Sequence, residues 1–178
     1  MKTLTSLEAA DWCKSHKIGL DSRGKPVTAG DSLESARFKT PSNASKHLWL
    51  CRYMEIALRP WKRCLFWPTE RGVWESSENW HLYYRLRQSY DDHRLIEEAP
   101  AHLFLDYEKD DLITFLQVGL TMGWDIYLLT QDDYGRIFVS HDERFVVAMR
   151  DKSALEKITA ELLKSGIEFL PNPTSAMA

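Results

Sequence analysis

Apolar residues recur at helical spacing in the first third of the chain. Thr5 and Glu8 stand three residues apart in a capping-box pattern, which predicts that a helix begins there. A second helical run begins at Ser45 and is ended by Pro60, because the proline ring cannot continue a helix. The apolar residues of this second run surround most of its axis, so we expect it to be well buried.

Two further helices are predicted in the C-terminal half. The first carries acids at its start, where the helix dipole favours negative charge, and Gly123 follows its last turn. The second has Ser153 and Glu156 as a capping box and is ended by Gly166. Apolar stripes three and four residues apart support both helices.

Residues 77–89 are ambiguous on pattern alone. Trp80, Leu82, Tyr84 and Leu86 alternate as they would in a strand. The preceding Ser-Ser-Glu-Asn, however, is typical of a helix start, and aromatic and basic residues stand four apart. We predict a helix.

Three β-rich runs close the sheet-forming part of the sequence: "WDIYLLT", "RIFVS" and "RFVVAM". Their short polar connections predict an antiparallel meander. "RCLFWP" and His102–Leu105 are shorter strand candidates. Residues 19–44, which are punctuated by Gly and Pro, are predicted to be loop and could be mobile.

These elements predict an α+β fold, with about five helices on a small, mainly antiparallel sheet that includes the C-terminal meander. A chain of 178 residues fits one domain, residues 1–178, and can bury enough surface to need neither disulfide nor metal. Three cysteines without a Cys-x-x-Cys pair predict reduced thiols and no zinc site. Without an apolar leader or a membrane span, we expect a cytoplasmic protein.

Charge is distributed unevenly along the chain. The formal net charge is −3, yet residues 95–143 carry only Lys109 and Arg136 against eleven acids, a local net charge of −9. This asymmetry favours a non-enzymatic protein-binding module, of an accessory or immunity type, that covers a basic partner. The expected partner-binding residues are those on the connections of the meander: Asp125, Asp132, Asp133, Asp142 and Glu143. The alternative is a solvated acidic face that keeps the protein soluble.

The segment "FVSHDERF" looks most like chemistry, because it joins Ser140, His141 and Asp142. Side chains on consecutive positions diverge, so these three cannot align as nucleophile, base and orienting acid. We interpret the segment as the polar tip of a hairpin, where substitution of His141 or Asp142 by alanine should cost less than about 1 kcal/mol. No cofactor is expected.

An enzyme is the main alternative function. A small hydrolase or nuclease-like protein could use histidines and neighbouring carboxylates, and the candidate polar residues are His81, Tyr84, Arg85, His93 and His141. No His-x-x-x-His or His-Glu-x-x-His spacing supports a metal centre, so none is expected. Two histidines and an acid meeting in one pocket would favour this enzyme.

A second alternative is single-stranded nucleic-acid binding through residues 59–87, where Trp, Tyr, Lys and Arg interleave. The interleaved residues are Trp61, Lys62, Arg63, Trp67, Trp80, Tyr83, Arg85 and Arg87. The basic footprint that nucleic acid requires is missing, because the chain is acidic overall. Nucleic acid and membrane are therefore not the expected partners.

The stretch "LFWPTERGVWESSENWHLYYRLRQSY", with "EAPAHLFLDYEKDDL" and "GWDIYLL" after it, resembles a set of bacterial proteins of uncharacterised function. The resemblance covers roughly residues 60–145, about half the chain. It implies a bacterial source and a helix start at Ser-Ser-Glu-Asn. It implies no activity.

Overall fold

The computed structural model describes residues 1–27, 33–70 and 77–171, and for residues 77–80 it describes the backbone only. The five helices are α1 (Ser6–Ser15), α2 (Ala44–Ala57), α3 (Ser77–Gln88), α4 (Lys109–Thr121) and α5 (Lys152–Lys164). The eight strands are β1 (Lys2–Leu4), β2 (Glu34–Lys39), β3 (Arg63–Glu70), β4 (Ala101–Leu105), β5 (Asp125–Thr130), β6 (Gly135–Ser140), β7 (Arg144–Met149) and β8 (Phe169–Leu170). A 3₁₀ turn, Asp106–Glu108, joins β4 to α4.

All eight strands belong to one antiparallel sheet in the order β1-β4-β3-β5-β6-β7-β2-β8. The α+β prediction is confirmed, and the C-terminal meander is β5-β6-β7. The helix predicted over the ambiguous 77–89 stretch is confirmed as α3. With eight strands, the sheet is larger than the small sheet expected.

Helices cover the two faces of the sheet unequally. Side chains alternate along β3, so that Phe66 joins the cluster formed with α2, α4 and α5, while Leu65 and Trp67 join the cluster with α1 on the other face. Every residue of β5 is buried, because this strand lies between β3 and β6 and beneath helices on both faces. Within the described ranges, no helix is both long and apolar enough to cross a membrane.

The prediction of loop throughout residues 19–44 is wrong for β2. This strand pairs with β7 over six residues, from Glu34↔Met149 to Lys39↔Arg144. Ala36 and Phe38 are buried on the helical face, whereas their neighbours in the strand are more exposed. Alternating burial of this kind stabilises a strand despite nearby Gly and Pro. Residues 28–32 of the same segment lie outside the described residues.

Two helices, α2 and α5, are capped by a different residue from the one predicted. Thr5 caps α1 and Glu8 completes the box, as expected. Helix α2 is capped by Asn43, whose side chain accepts from the backbone N–H of Ser45. Helix α5 is capped by Asp151. Asn and Asp accept these backbone hydrogen bonds as well as Ser does, so the earlier residue takes the cap.

Strand register defines two ends of the sheet that matter for function. Glu70 is paired with Asp125, and the β6–β7 turn follows Ser140 at the same end, here called the His141 end. Arg63 is paired with Leu105, and Thr130 with Cys64, at the opposite end, here called the Tyr107 end. The β5–β6 turn lies at the Tyr107 end.

Candidate functional sites at the two ends of the sheet

His141 is held by Asp125 at the His141 end. Asp125 begins β5 and His141 follows β6, so the antiparallel register makes them neighbours. One carboxylate oxygen of Asp125, Oδ1, accepts from the backbone N–H of His141 at 2.8 Å and lies 2.8 Å from its ring Nδ1. Asp125 is only 8% exposed. The imidazole therefore has a fixed orientation at the edge of the protein.

Glu70 brings a second carboxylate to the same place. Its Oε1 lies 2.7 Å from Nζ of Lys25, which reaches it from the segment after α1. One ligand atom from each of Glu70, Asp125 and His141 lies within 4.8 Å of the others. Two strands, β3 and β5, and the β6–β7 turn thus bring two oxygen donors and one nitrogen donor close together.

The charged groups of this cluster shift the pKa values of both His141 and Glu70. The hydrogen bond to Asp125, together with the negative charges of Asp125, Asp142 and Glu70, raises the pKa of the His141 imidazole above its ordinary value. The hydrogen bond from Lys25 and its positive charge lower the pKa of the Glu70 carboxyl. The arrangement stabilises a positive charge on the imidazole.

A cavity of about 440 Å³ opens beside this cluster. His141 and His47 both line it, with Glu143 and Trp124. The His47 ring, however, is engaged by the Pro41 carbonyl through Nε2. Two histidines and an acid thus line one pocket, but among the described residues no hydrogen bond or ion pair joins His47 to His141 or Glu143, so the side chains do not meet as an enzyme site would require.

The opposite end of the sheet presents an exposed aromatic ring. Tyr107, in the 3₁₀ turn after β4, is 75% exposed, more than any other large hydrophobic side chain among the described residues. It lines two clefts, one of about 770 Å³ and one of about 450 Å³. Asp106 and Asp110 stand one and three residues from it in the chain and are exposed, as is Lys109. An aromatic ring between concave surfaces, with acids beside it, is suited to contact with another protein.

The larger cleft has an apolar floor and a charged rim. Leu4, Leu103 and Leu105 form its apolar part. Three carboxylates and two cations surround them: Glu8, Asp11, Glu108, Lys2 and Arg63. Glu108 is already paired with the N-terminal amine.

The five acids expected to bind a partner do not form one surface. Asp125 and Asp133 are buried, and Asp133 is paired with Arg136 at 2.7 Å and with Arg150 at 3.2 Å. Asp132 is exposed at the Tyr107 end, while Asp142 and Glu143 are exposed at the His141 end. Consecutive turns of a meander lie at opposite ends of a sheet, which is why the acids separate.

The other polar candidates do not converge on His141. His81 and Arg85 are exposed on α3, and the Tyr84 hydroxyl accepts from the backbone N–H of Ile96. His93 lies 3.6 Å from Asp91 in the loop after α3. In the described part of the chain, no hydrogen bond or ion pair joins any of these residues to His141.

The aromatic rings proposed for nucleic-acid stacking are largely inside the protein. Trp61, Trp67 and Tyr83 are at most 5% exposed, and Arg87 is fully buried. Buried rings cannot stack on bases. The side chain of Trp80 lies outside the described residues.

Sequence patterns did not indicate the roles of Glu70 or Tyr107. The predicted strand "RCLFWP" ends two residues before Glu70, and only the register of β3 on β5 brings Glu70 to Asp125. Tyr107 is a single aromatic residue in a polar stretch, and the sequence alone does not show whether such a ring is buried or exposed. Comparison with family models, with curated proteins and with solved structures found no match.

Proposed function

We propose that this protein is a non-enzymatic protein-binding module, of an accessory or immunity type, that recognises a basic partner at the Tyr107 end. The observation that carries the proposal is the 75% exposed ring of Tyr107 standing between two clefts. Tyr, Trp and Arg supply most of the binding energy at protein interfaces, since they bury large areas at low entropic cost. A ring of this exposure is available to a partner without rearrangement.

The acids around Tyr107 support a basic partner. Asp106 and Asp110 are exposed one and three residues from Tyr107 in the chain, where Lys109 is exposed as well, and Asp132 is exposed at the same end of the sheet. Exposed carboxylates attract a basic protein over a range of about 8 Å at physiological salt. They accelerate encounter more than they strengthen the final complex. The strongly acidic segment 95–143 supplies all three.

The test begins with capture of a partner from an extract of the organism that encodes the protein, followed by binding kinetics with the purified partner. Tyr107→Ala should weaken binding at least about tenfold, chiefly through faster dissociation. The double variant Asp106→Asn/Asp110→Asn should slow association, and the difference from the parent should shrink as salt is raised. Thermal melting checks that each variant is folded.

Two matched controls use the remainder of the surface. Asp142→Asn/Glu143→Gln makes the same change of charge at the His141 end and should leave association unchanged. Leu163→Ala removes an apolar side chain that is 50% exposed on α5 and should leave dissociation unchanged. If the Tyr107 variant binds like the parent, or only the His141-end variant slows association, recognition does not occur at the Tyr107 end.

A second candidate function is a small hydrolase centred on His141. The specific observation is that Asp125 orients this imidazole while Glu70 and the cavity lie beside it. An acid that fixes a histidine in this way is a recurring part of hydrolytic sites. Hydrolysis of simple ester or phosphodiester substrates that disappears in His141→Gln would support this candidate over the binding module.

A further inference from the structure

We propose that Glu70, Asp125 and His141 form a binding site for a divalent transition-metal ion, with Zn²⁺ as the representative ion. This inference is independent of the protein-binding function, which concerns the other end of the sheet. Its basis is the meeting of three donors of two chemical kinds, delivered by β3, β5 and the β6–β7 turn.

The spacing of the donors fits one ion. The three ligand atoms lie within 4.8 Å of one another. Zinc lies about 2.0–2.2 Å from carboxylate oxygen and imidazole nitrogen, so two ligand atoms of one tetrahedral ion stand about 3.4 Å apart. A closure of up to about 1.4 Å would complete the site, and the 50% exposed Glu70 side chain has the freedom to provide it.

Two features of the cluster prepare it for an ion. Asp125 is buried and is fixed by the backbone N–H of His141, a hydrogen bond that metal binding at the ring would leave in place. Asp142 lies on the far side of the imidazole, with its Oδ1 3.4 Å from Nε2. A histidine that binds metal through one ring nitrogen usually donates its other N–H to a carboxylate. A small rotation of the Asp142 side chain, which is 50% exposed, would let it accept that hydrogen bond when Nδ1 is the ligand.

Binding of the ion would displace the Lys25 ammonium and the proton between His141 and Asp125. Lys25 has its ammonium 2.7 Å from Glu70, at the end of a flexible side chain that can move into solvent. The proton between His141 Nδ1 and Asp125 would leave the ring or move to Nε2 as the metal takes its place. An ion with two positive charges then neutralises the two carboxylates that bind it.

The donor set selects among metals. Imidazole suits zinc and other late transition metals, whereas Mg²⁺ and Ca²⁺ prefer sites made of oxygen atoms. With one imidazole and two carboxylates, the site should bind Zn²⁺ in preference to Mg²⁺. Solvent would complete the coordination, since the His141 side chain is 41% exposed.

The experiment is a calorimetric titration of the full chain with ZnCl₂, and separately with MgCl₂. We expect one saturable Zn²⁺ site, at least tenfold weaker binding in each of His141→Gln and Glu70→Gln, and at least tenfold weaker binding of Mg²⁺ by the parent. Asp125→Asn keeps an oxygen for the His141 backbone N–H while removing the charge, so it should also weaken Zn²⁺ binding.

The matched control is His93→Gln. His93 also stands beside an acid, Asp91, at 3.6 Å, but no third donor joins them within the described residues. This variant should bind Zn²⁺ like the parent. If Zn²⁺ shows no saturable site, if His141→Gln and Glu70→Gln bind within about twofold of the parent, or if Mg²⁺ binds equally well, the proposal is wrong. Should Asp125→Asn fail to fold, the two exposed variants decide.

Discussion

Arg87 and Asp92 carry opposite charges into the interior. Arg87 is fully buried and its Nη2 lies 3.2 Å from Asp92 Oδ1. The guanidinium stands over the rings of Tyr83 and Tyr84, but its Nε and Nη1 have no hydrogen-bond partner among the residues that the structure describes. A buried charge that loses its partner destabilises the folded state by several kcal/mol. The stability of this region therefore depends on Asp92 remaining ionised.

The environment of Asp92 favours that ionised form. Burial raises the pKa of its carboxyl, but hydrogen bonds from Arg94 and Thr3, with the charge of Arg87, outweigh burial and lower the pKa below its ordinary value. An unfolded aspartate titrates near pH 3.9. The stabilisation is thus complete above that pH and is lost as pH falls through the lower, folded-state pKa.

At pH 7, Asp92→Asn should lower the free energy of unfolding by about 3 kcal/mol, because it leaves the Arg87 charge unpaired. The difference from the parent should be constant above about pH 5 and should shrink as the pH falls below about 4. Urea denaturation across this range measures it. A difference that does not change at acid pH would mean that the Asn variant loses packing and not an ion pair.

At the residue scale, the sequence predicts interactions correctly where the interacting residues are close together in the chain. The Thr5–Glu8 capping box needs only two residues three apart, and it is present. The burial of Asp133 and of the polar network of Tyr83, His102, Arg87 and Asp92 could not be predicted. Each depends on partners brought from distant elements, and an acid in a turn is more often exposed.

At the scale of elements, α4 packs closely on the sheet through Gly119. A Cβ at this position would lie 2.4 Å from Cδ1 of Ile126 in β5. Alanine is about 1 kcal/mol better than glycine inside a helix, but overpacking a buried contact costs about 1–3 kcal/mol. The contact should outweigh the helix propensity here, because Ile126 is fully buried.

Gly119→Ala should therefore destabilise the protein by about 1 kcal/mol. Ile126→Val removes the opposing Cδ1, so adding Gly119→Ala to that variant should be neutral or stabilising. A double-mutant cycle by urea denaturation measures this coupling. Equal effects of Gly119→Ala in both backgrounds would show that the contact with Ile126 Cδ1 does not cause the destabilisation.

Elements with a strong pattern of apolar residues can be predicted from the sequence. Strands that depend on pairing with a distant strand are harder to predict. The meander strands each carry several consecutive apolar residues, and their connections are short. Strand β2 was missed although Ala36 and Phe38 alternate with polar residues, because neighbouring Gly and Pro suggested loop. Strand β1 has three residues, too few for a periodic pattern.

For the whole molecule, the two proposed sites stand a strand length apart. A six-residue strand such as β5 spans about 20 Å, which is more than twice the screening length at physiological salt. Changing a charge at the His141 end should therefore leave the electrostatic potential at the Tyr107 end almost unchanged.

Saturating Zn²⁺ should change the affinity for a partner bound at Tyr107 by less than about twofold, and the effects of Glu70→Gln and Tyr107→Ala on partner binding should add. Binding kinetics with and without Zn²⁺ provide the measurement. A change of tenfold or more would show that the two ends are coupled through the sheet.

The candidate metal cluster shows why a site built from several separate elements is hard to predict from the sequence. Glu70, Asp125 and His141 are far apart in the chain and meet only through the register of β3, β5 and β6. The sequence indicates His141 as a candidate residue, but it offers only the consecutive neighbours of His141 as partners. Asp125, the acid that holds it, was assigned to a binding surface.

The ends of the strand order have a separate consequence for how this protein behaves at high concentration. The outermost strands are β1, with three residues, and β8, with two. A long unpaired edge invites another chain to extend the sheet, which is a route to swapped dimers and fibrils. Strands this short offer few free backbone groups, and the part of β2 before its pairing with β8, residues 34–36, is equally short. We therefore expect side chains to mediate association with other proteins, and β-mediated aggregation of the native state to be slow.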